Sequence, residues 1–290
     1  MARAAPATDR TVAVLNFMAA HPDTWFSLSD LARRLGLPKA TLHAQVNALS
    51  EAGYLLRHPG DKSYSLGPAL IAVGNAAASR QYEVVEFARE EMRRLADDLD
   101  IQVVASAQIG DEMVLLARAG ETLPVGMSVQ VGARIPIVPP LGTVFMAWSS
   151  PAEIDAWLRR VGPNATDDEL DRYRQAIAAV RQRGYSIGLD ASARTQLARA
   201  LPDRGRMGEA IEALGHEEYV LLELQHAASY RLSIVGAPVF GADGSVVLAL
   251  SLFGFPAASL TADEVPRYGE RLLQATDAVS RAIHGRRPAA

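Results

Sequence analysis

Ser27-Leu28-Ser29-Asp30-Leu31-Ala32-Arg33-Arg34-Leu35-Gly36-Leu37-Pro38-Lys39-Ala40-Thr41-Leu42 decides how the N-terminal part of this chain folds. Leu28, Leu31, Ala32 and Leu35 fall at i, i+3, i+4 and i+7, one buried stripe on a short helix. Gly36 turns the chain, and Pro38 sits just inside a second helix, where its missing N–H costs nothing. That helix points Leu42, Val46 and Leu49 inward and ends at Gly53. Tyr54 to His58 and Ser63 to Leu66 read as strands around the turn Pro59-Gly60-Asp61-Lys62. Upstream, Asp9 or Thr11 caps a first helix carrying Val12, Leu15, Phe17 and Met18, which closes near His21-Pro22; residues 1–8 read as a disordered leader. Residues 9–67 thus predict a winged helix-turn-helix whose second helix suits the major groove of duplex DNA.

The outward face of that second helix presents Ala40, Ala44, Asn47 and Glu51, flanked by Thr41, His43 and Ala48. Thr41, His43 and Asn47 are candidates for base edges, and an Asn amide suits adenine. Lys39 at the N-terminal end is a candidate phosphate contact, and Arg57, His58 and Lys62 are candidates on the wing. Alanines at two groove-facing positions leave little direct readout, so half-site spacing and DNA shape are expected to carry much of the specificity. The plain alternative for each of these polar residues is a solvated surface.

Composition bounds the class. A length of 290 residues, 49% hydrophobic and 21% charged, predicts a globular chain of about two domains. There is no cysteine, so neither a disulfide framework nor a thiol nucleophile is available. No signal-peptide pattern and no apolar run of about 18 residues occurs, which predicts a cytoplasmic protein with no membrane partner. The net charge of −4 is uneven: residues 1–78 hold seven basic against five acidic side chains, the remainder 22 against 28. A local charge of about +2 is a weak footprint for phosphate, so two or more copies are expected to bind together.

Beyond Gly67-Pro68, residues 69–78 have helical composition, and 68–82 read as a linker helix. Val84, Phe87, Ala88, Met92, Leu95 and Leu99 recur at helical spacing on a longer helix. From residue 100 the pattern changes: 101–107 and 113–118 are strands around Gly110-Asp111, and 125–131 is a third. Helices follow at 141–148, at 152–161 after Pro151, and from the Thr166/Glu169 capping box to Arg183. Further strands are expected from Gly184 and over 219–224, 232–240 and 246–253, with a helix at 204–214. A terminal helix follows a capping box at Thr261-Ala262-Asp263-Glu264 and runs to about His284. The fold class is α+β with an antiparallel second domain over 83–285.

This order of elements resembles the IclR-type (isocitrate lyase regulator) family of bacterial transcription factors along nearly the whole chain. The head carries the resemblance through Leu31-Ala32, Gly36-Leu37-Pro38-Lys39-Ala40-Thr41, Glu51-Ala52-Gly53-Tyr54-Leu55 and Tyr64-Ser65-Leu66-Gly67. Farther on it runs through Gly132-Ala133-Arg134-Ile135-Pro136, Arg183-Gly184-Tyr185-Ser186, Ala237-Pro238-Val239-Phe240 and Ala249-Leu250-Ser251. The resemblance implies a winged helix-turn-helix, a linker helix and a GAF-like effector domain, assembled as a homodimer or homotetramer on a double-stranded DNA operator. A small-molecule effector would then modulate operator affinity.

Relatives with small polar effectors carry a His and a Gly-Lys in one pocket loop, a Cys, and two Ser on the last strand. Here Val138 stands at the His, Thr143-Val144 at the Gly-Lys, Ile234 at the Cys and Phe253 at the second Ser, while Ser251 is kept. Asp190 is displaced by two from the usual acidic position near Gly188. A pocket of Val138, Leu141, Gly142, Thr143, Ile234, Ser251 and Phe253 gives a small carboxylate few partners for its lost water. The expected effector is therefore apolar or aromatic; the alternative is a ligand-free domain used only for oligomerisation. The segment 191–228 is longer than the resemblance predicts and has no assigned role. No convergent acid, base or nucleophile points to an enzyme. His216 and His226 lack a metal-ligand spacing, no glycine-rich phosphate loop occurs, and Met127 and Met146 read as core, so no cofactor or metal is expected.

Overall fold

The computed structural model describes residues 5–19, 21–81, 83–120, 131–163, 165–189, 220–255 and 259–288. The chain divides into two compact units, Met1–Tyr82 and Glu83–Ala290.

In the first unit, α1 (Pro6–Ala19) begins ahead of both expected caps, inside the segment read as a leader. Thr11 sits within the helix, its Oγ1 donating back to Ala7 O at 3.0 Å. Ser27 caps α2 (Leu28–Leu35), its Oγ accepting from the Asp30 N–H at 3.1 Å. Pro38 is extended (φ −60°, ψ 130°), so α3 (Lys39–Glu51) starts one residue later than the sequence suggests. β1 (Leu55–Arg57) and β2 (Tyr64–Leu66) pair antiparallel, and Phe26 adds a bridge to Tyr64. Val14, Met18, Phe26, Leu31, Leu42, Val46, Leu55 and Tyr64 form one buried core, drawing on every element from α1 to β2. α4 (Ala69–Gln81) ends the unit.

The second unit opens with α5 (Glu83–Leu99) and is built on a six-stranded antiparallel sheet of order β5-β4-β3-β9-β8-β6. These strands are β3 (Gln102–Ile109), β4 (Glu112–Ala119), β5 (Arg134–Pro136), β6 (Ser186–Leu189), β8 (Leu232–Phe240) and β9 (Val246–Phe253). The expected helix over 141–148 contracts to α6 (Thr143–Met146), because the chain from Ile137 to Gly142 packs as a loop beneath it. α7 (Pro151–Leu158) carries a full capping box from Ser150 and Glu153, and α8 (Asp167–Arg183) is capped by Thr166 as expected. The strand expected over 219–224 reduces to a single bridge, Val220 to Gly188, plus Leu221 N–H to Ile187 O at 2.9 Å. β7 (Ser229–Tyr230) pairs instead with β10 (Leu260–Thr261). Thr261 and Glu264 close a turn rather than cap a helix, and α9 (Val265–Ala282) follows it. Most of the strand expected at 125–131, Met127, Asp190, the 204–214 helix, His216 and most of segment 191–228 lie outside the described residues. Among described residues no helix is long and apolar enough to cross a membrane.

The sheet has two differently used faces. Ala249 packs with Ile137, Phe145, Trp157, Tyr173 and Ile177 from the α6–α8 side. Leu248, Leu250 and Leu252 alternate to the other face and are fully buried. α5 and α9 pack there against β3, β8 and β9.

Gly269 of α9 tests this packing. Helix propensity alone favours alanine by about 0.8–1 kcal/mol. A Cβ at Gly269, however, would stand 2.1–2.5 Å from ring carbons of buried Tyr185. Overpacking of that kind costs about 1–3 kcal/mol, so steric cost is expected to win. Gly269→Ala is predicted to lower the melting temperature by about 2–8 °C in calorimetry; a rise would show that the ring yields freely.

Candidate functional site

Two surfaces are candidates, one in each unit. The first is the outward side of α3 with the wing. At 100° per residue, Lys39, His43 and Asn47 form one row along α3, and Thr41 stands on the opposite flank. Ala40, Ala44 and Glu51 lie between them. Lys39, His43 and Ala44 are exposed, while Thr41 and Asn47 are half-buried. Asn47 Nδ2 lies 3.4 Å from His43 Nε2, so the imidazole and the amide are neighbours on the row. Beneath them Gln45 Nε2 donates to Ala7 O at 3.1 Å and ties α3 to α1.

The wing is held by its own turn. Asp61 Oδ1 accepts from Ser63 Oγ at 2.6 Å and from Ser63 N at 3.0 Å, which holds its pKa below the usual carboxylate value. His58 Nδ1 lies 3.1 Å from the same carboxylate. Lys62 takes a left-handed conformation (φ 62°), and its Nζ donates to Pro59 O at 2.6 Å, folding the ammonium over the turn. Arg57 is exposed, with its guanidinium 5.8 Å from the Tyr64 ring centre. Arg33 pairs with Asp30 within α2 at 3.0 Å. Trp25 was not singled out by sequence; it stays 46% exposed with its ring edge-on to His58 at 5.4 Å. A tryptophan two residues ahead of the α2 cap was the available signal.

The second surface is the α6–α8 side of the sheet. Register places Val104, Ser251, Gly236 and Ser186 in one row across β3, β9, β8 and β6. Phe253 and Ile234 lie on the same side, two residues along their strands. The structure therefore brings Ile234, Ser251 and Phe253 together. Val104, Leu115 and Ala133 form a buried apolar cluster there with Ile135 and Phe253. The other four candidates belong to the loop leading into α6 and to the first residue of that helix, Thr143. Leu141 is buried and its carbonyl accepts from Trp157 Nε1 at 3.0 Å. Thr143 Oγ1 donates to Pro140 O at 2.6 Å, so its hydroxyl already serves the loop. Gly142 caps α6, and Val138 is half-buried.

Arg183 carries weight that the sequence did not disclose. Its guanidinium donates to the carbonyls of Tyr185 (3.0 Å), Leu221 (3.2 Å) and Leu222 (3.3 Å). It also lies 5.2 Å from the Tyr185 ring centre. Burial lowers its pKa from the ordinary arginine value, and burial raises that of the Tyr185 hydroxyl. By this clamp α8, β6 and the chain after Val220 are held together. Between α8 and that chain lies a cleft of about 620 Å³, bordered by Pro140, Tyr173, Ala176, Ala179 and Leu222. None of the sequence-selected pocket residues lines it.

Comparison with known proteins finds family matches along both units. Residues 7–59 match the IclR helix-turn-helix domain, and residues 76–215 match the bacterial transcriptional regulator IclR C-terminal domain. The HTH-type transcriptional regulator KipR of Bacillus subtilis is 25% identical over 280 residues, covering 94% of this chain and 95% of its own. TtgV of Pseudomonas putida, an HTH-type transcriptional regulator, is 28% identical over 185 residues, 62% of this chain and 70% of its own. Among solved structures, an IclR transcriptional regulator from Alicyclobacillus acidocaldarius superposes with a TM-score of 0.69 at 22% identity, covering 98% of this chain and 100% of that one. An IclR homolog from Microbacterium hydrocarbonoxydans, complexed with 4-hydroxybenzoate, gives 0.65 at 21% identity, over 96% and 98%. The matched families and curated relatives are transcriptional regulators, not enzymes.

The clamp is directly testable. Arg183→Met keeps length and bulk but leaves three carbonyls without their donor, at an expected cost of about 2–3 kcal/mol. Urea unfolding should register that loss. The Leu221 amide should exchange faster in deuterium; unchanged exchange there would show that Arg183 does not hold the segment.

Proposed function

The chain belongs to the IclR family of bacterial transcriptional regulators, with a DNA-binding helix-turn-helix domain and a C-terminal effector domain. From that premise we propose that it is a cytoplasmic regulator acting as a homodimer or homotetramer. Residues 9–67 read the operator, 68–82 form the linker, and 83–285 bind the effector and hold the copies together. α3 enters the major groove, with Lys39 on phosphate and Thr41, His43 and Asn47 toward base edges, while Arg57 and Lys62 engage the backbone beside it. Two heads on a near-palindromic operator sit one helical turn apart, about 34–36 Å. The weak local charge of residues 1–78 supports such pairing, since each head alone attracts phosphate feebly.

The effector is a small molecule more apolar than a short organic acid. The observation that carries this is the cluster of Val104, Leu115, Ala133, Ile135 and Phe253 beside Ser251, together with Ile234 and Val138 at positions where polar groups serve related regulators. An acid of pyruvate size would be dehydrated there without recovering its hydrogen bonds. The aromatic ligand in the Microbacterium homolog supports a small-molecule role for this domain. Such a ligand changes operator affinity only through unequal binding to the two arrangements of the heads.

Fluorescence anisotropy on operator and random duplexes tests the head. Asn47→Ala should lower discrimination by about 1–3 kcal/mol at one base position. Lys39→Ala should weaken all sequences alike and reduce the salt slope by about one. Identical effects of the two substitutions would defeat this assignment. For the effector, a thermal-shift screen should show stabilisation by aromatic compounds; stabilisation by pyruvate or glyoxylate alone would overturn the apolar reading.

A further inference from the structure

We infer that Ser186, Gly236 and Ser251 form a hydroxyl-walled notch that accepts one neutral hydrogen-bonding group of the effector, a phenol or alcohol rather than a carboxylate. The inference rests on the effector reading above and gives that ligand its polar end. Gly236 lies between the two serines in the register, on the central of three adjacent strands. A Cβ there would stand 3.0 Å from Ser186 Oγ and 3.3 Å from Ser251 Oγ. Because Gly236 has none, both hydroxyls converge over open backbone. Ser186 Oγ donates its proton to Gly236 O at 3.2 Å, which leaves its lone pairs free to accept. Ser251 is only 8% exposed, and its hydroxyl has no hydrogen-bond partner among the described residues. The hydroxyl oxygen keeps access to solvent, and it lies on the side of the sheet proposed for the ligand.

Charge decides the class of group. Both walls are neutral; Ser186 is left to accept and Ser251 can donate or accept, which matches a hydroxyl. A carboxylate buried there would lose its hydration, and the buried guanidinium beside β6, Arg183, already donates to three carbonyls. Arg118 on β4 pairs with Val104 on this side of the sheet, but it is exposed and stands three strands from Gly236. The hydrocarbon body of the ligand then lies on Val104, Leu115 and Phe253, one strand away from the notch.

Isothermal titration of the full chain with 4-ethylphenol, 4-ethyltoluene and 4-ethylbenzoate tests this. The phenol should bind about tenfold more tightly than either analogue, the worth of one satisfied buried hydrogen bond. Ser251→Ala, Ser186→Ala and Gly236→Ala, the last filling the notch with a methyl, should each remove about that factor for the phenol and leave the toluene unchanged. If Gly236→Ala does not fold, the two serine variants suffice. Tighter binding of the benzoate, equal loss for phenol and toluene, or no binding of any of the three would overturn the notch. Operator binding by the same preparations reads the regulator assignment separately, so the notch can fail while that assignment stands.

Discussion

The pairing of β8 with β9 is the constraint on which the second unit depends. Val235↔Leu252, Gly236↔Ser251 and Ala237↔Leu250 fix which residues share a side. A slip of one residue would turn Leu250 and Leu252 away from α5 and α9 and present Ser251 to them instead. The hydrophobic loss from exposing two such leucines is about 3–6 kcal/mol, a large share of the stability of an ordinary domain. The same register that buries the leucines therefore also delivers the serine row. Core and candidate pocket are two readings of one strand alternation.

The first unit obeys a different economy. Its core of eight buried residues takes contributions from three helices, both wing strands and the Phe26 bridge. Ala40 and Ala44 on the outer side of α3 take no part in that core and are exposed. The turn of the wing is held by polar contacts centred on Asp61, while its strands are anchored to the core through Leu55 and Tyr64.

Much of this was legible in sequence, for identifiable reasons. The α2–turn–α3 unit was readable because Leu28, Leu31 and Leu35 keep one helical period and Ser27 and Gly36 end it chemically. β8 and β9 were readable to the residue because each is a long apolar run bounded by a Gly-containing turn. What escaped depends on partners distant in sequence. Val220 to Leu224 has strand composition, yet Arg183 occupies carbonyls that a ladder would need. Leu141 to Trp148 has helical composition, yet its first residues serve as a loop that receives Trp157. Of the candidate pocket, the positions of Ile234 and Phe253 could be read from resemblance, whereas Ser186 and Ser251 come to flank Gly236 only through a register spanning some 65 residues of chain.

The three tryptophans are distributed in a way that has an optical consequence. Trp25 is half open to water in the first unit, whereas Trp157 is wholly enclosed in the second and donates its indole N–H to a backbone carbonyl. Trp148 lies edge-on to Phe240 beneath the Arg287 guanidinium. An enclosed indole emits at shorter wavelength than a hydrated one. Intrinsic fluorescence thus carries separable colours from the two halves of the molecule, and the order in which they melt can be followed without attaching a dye.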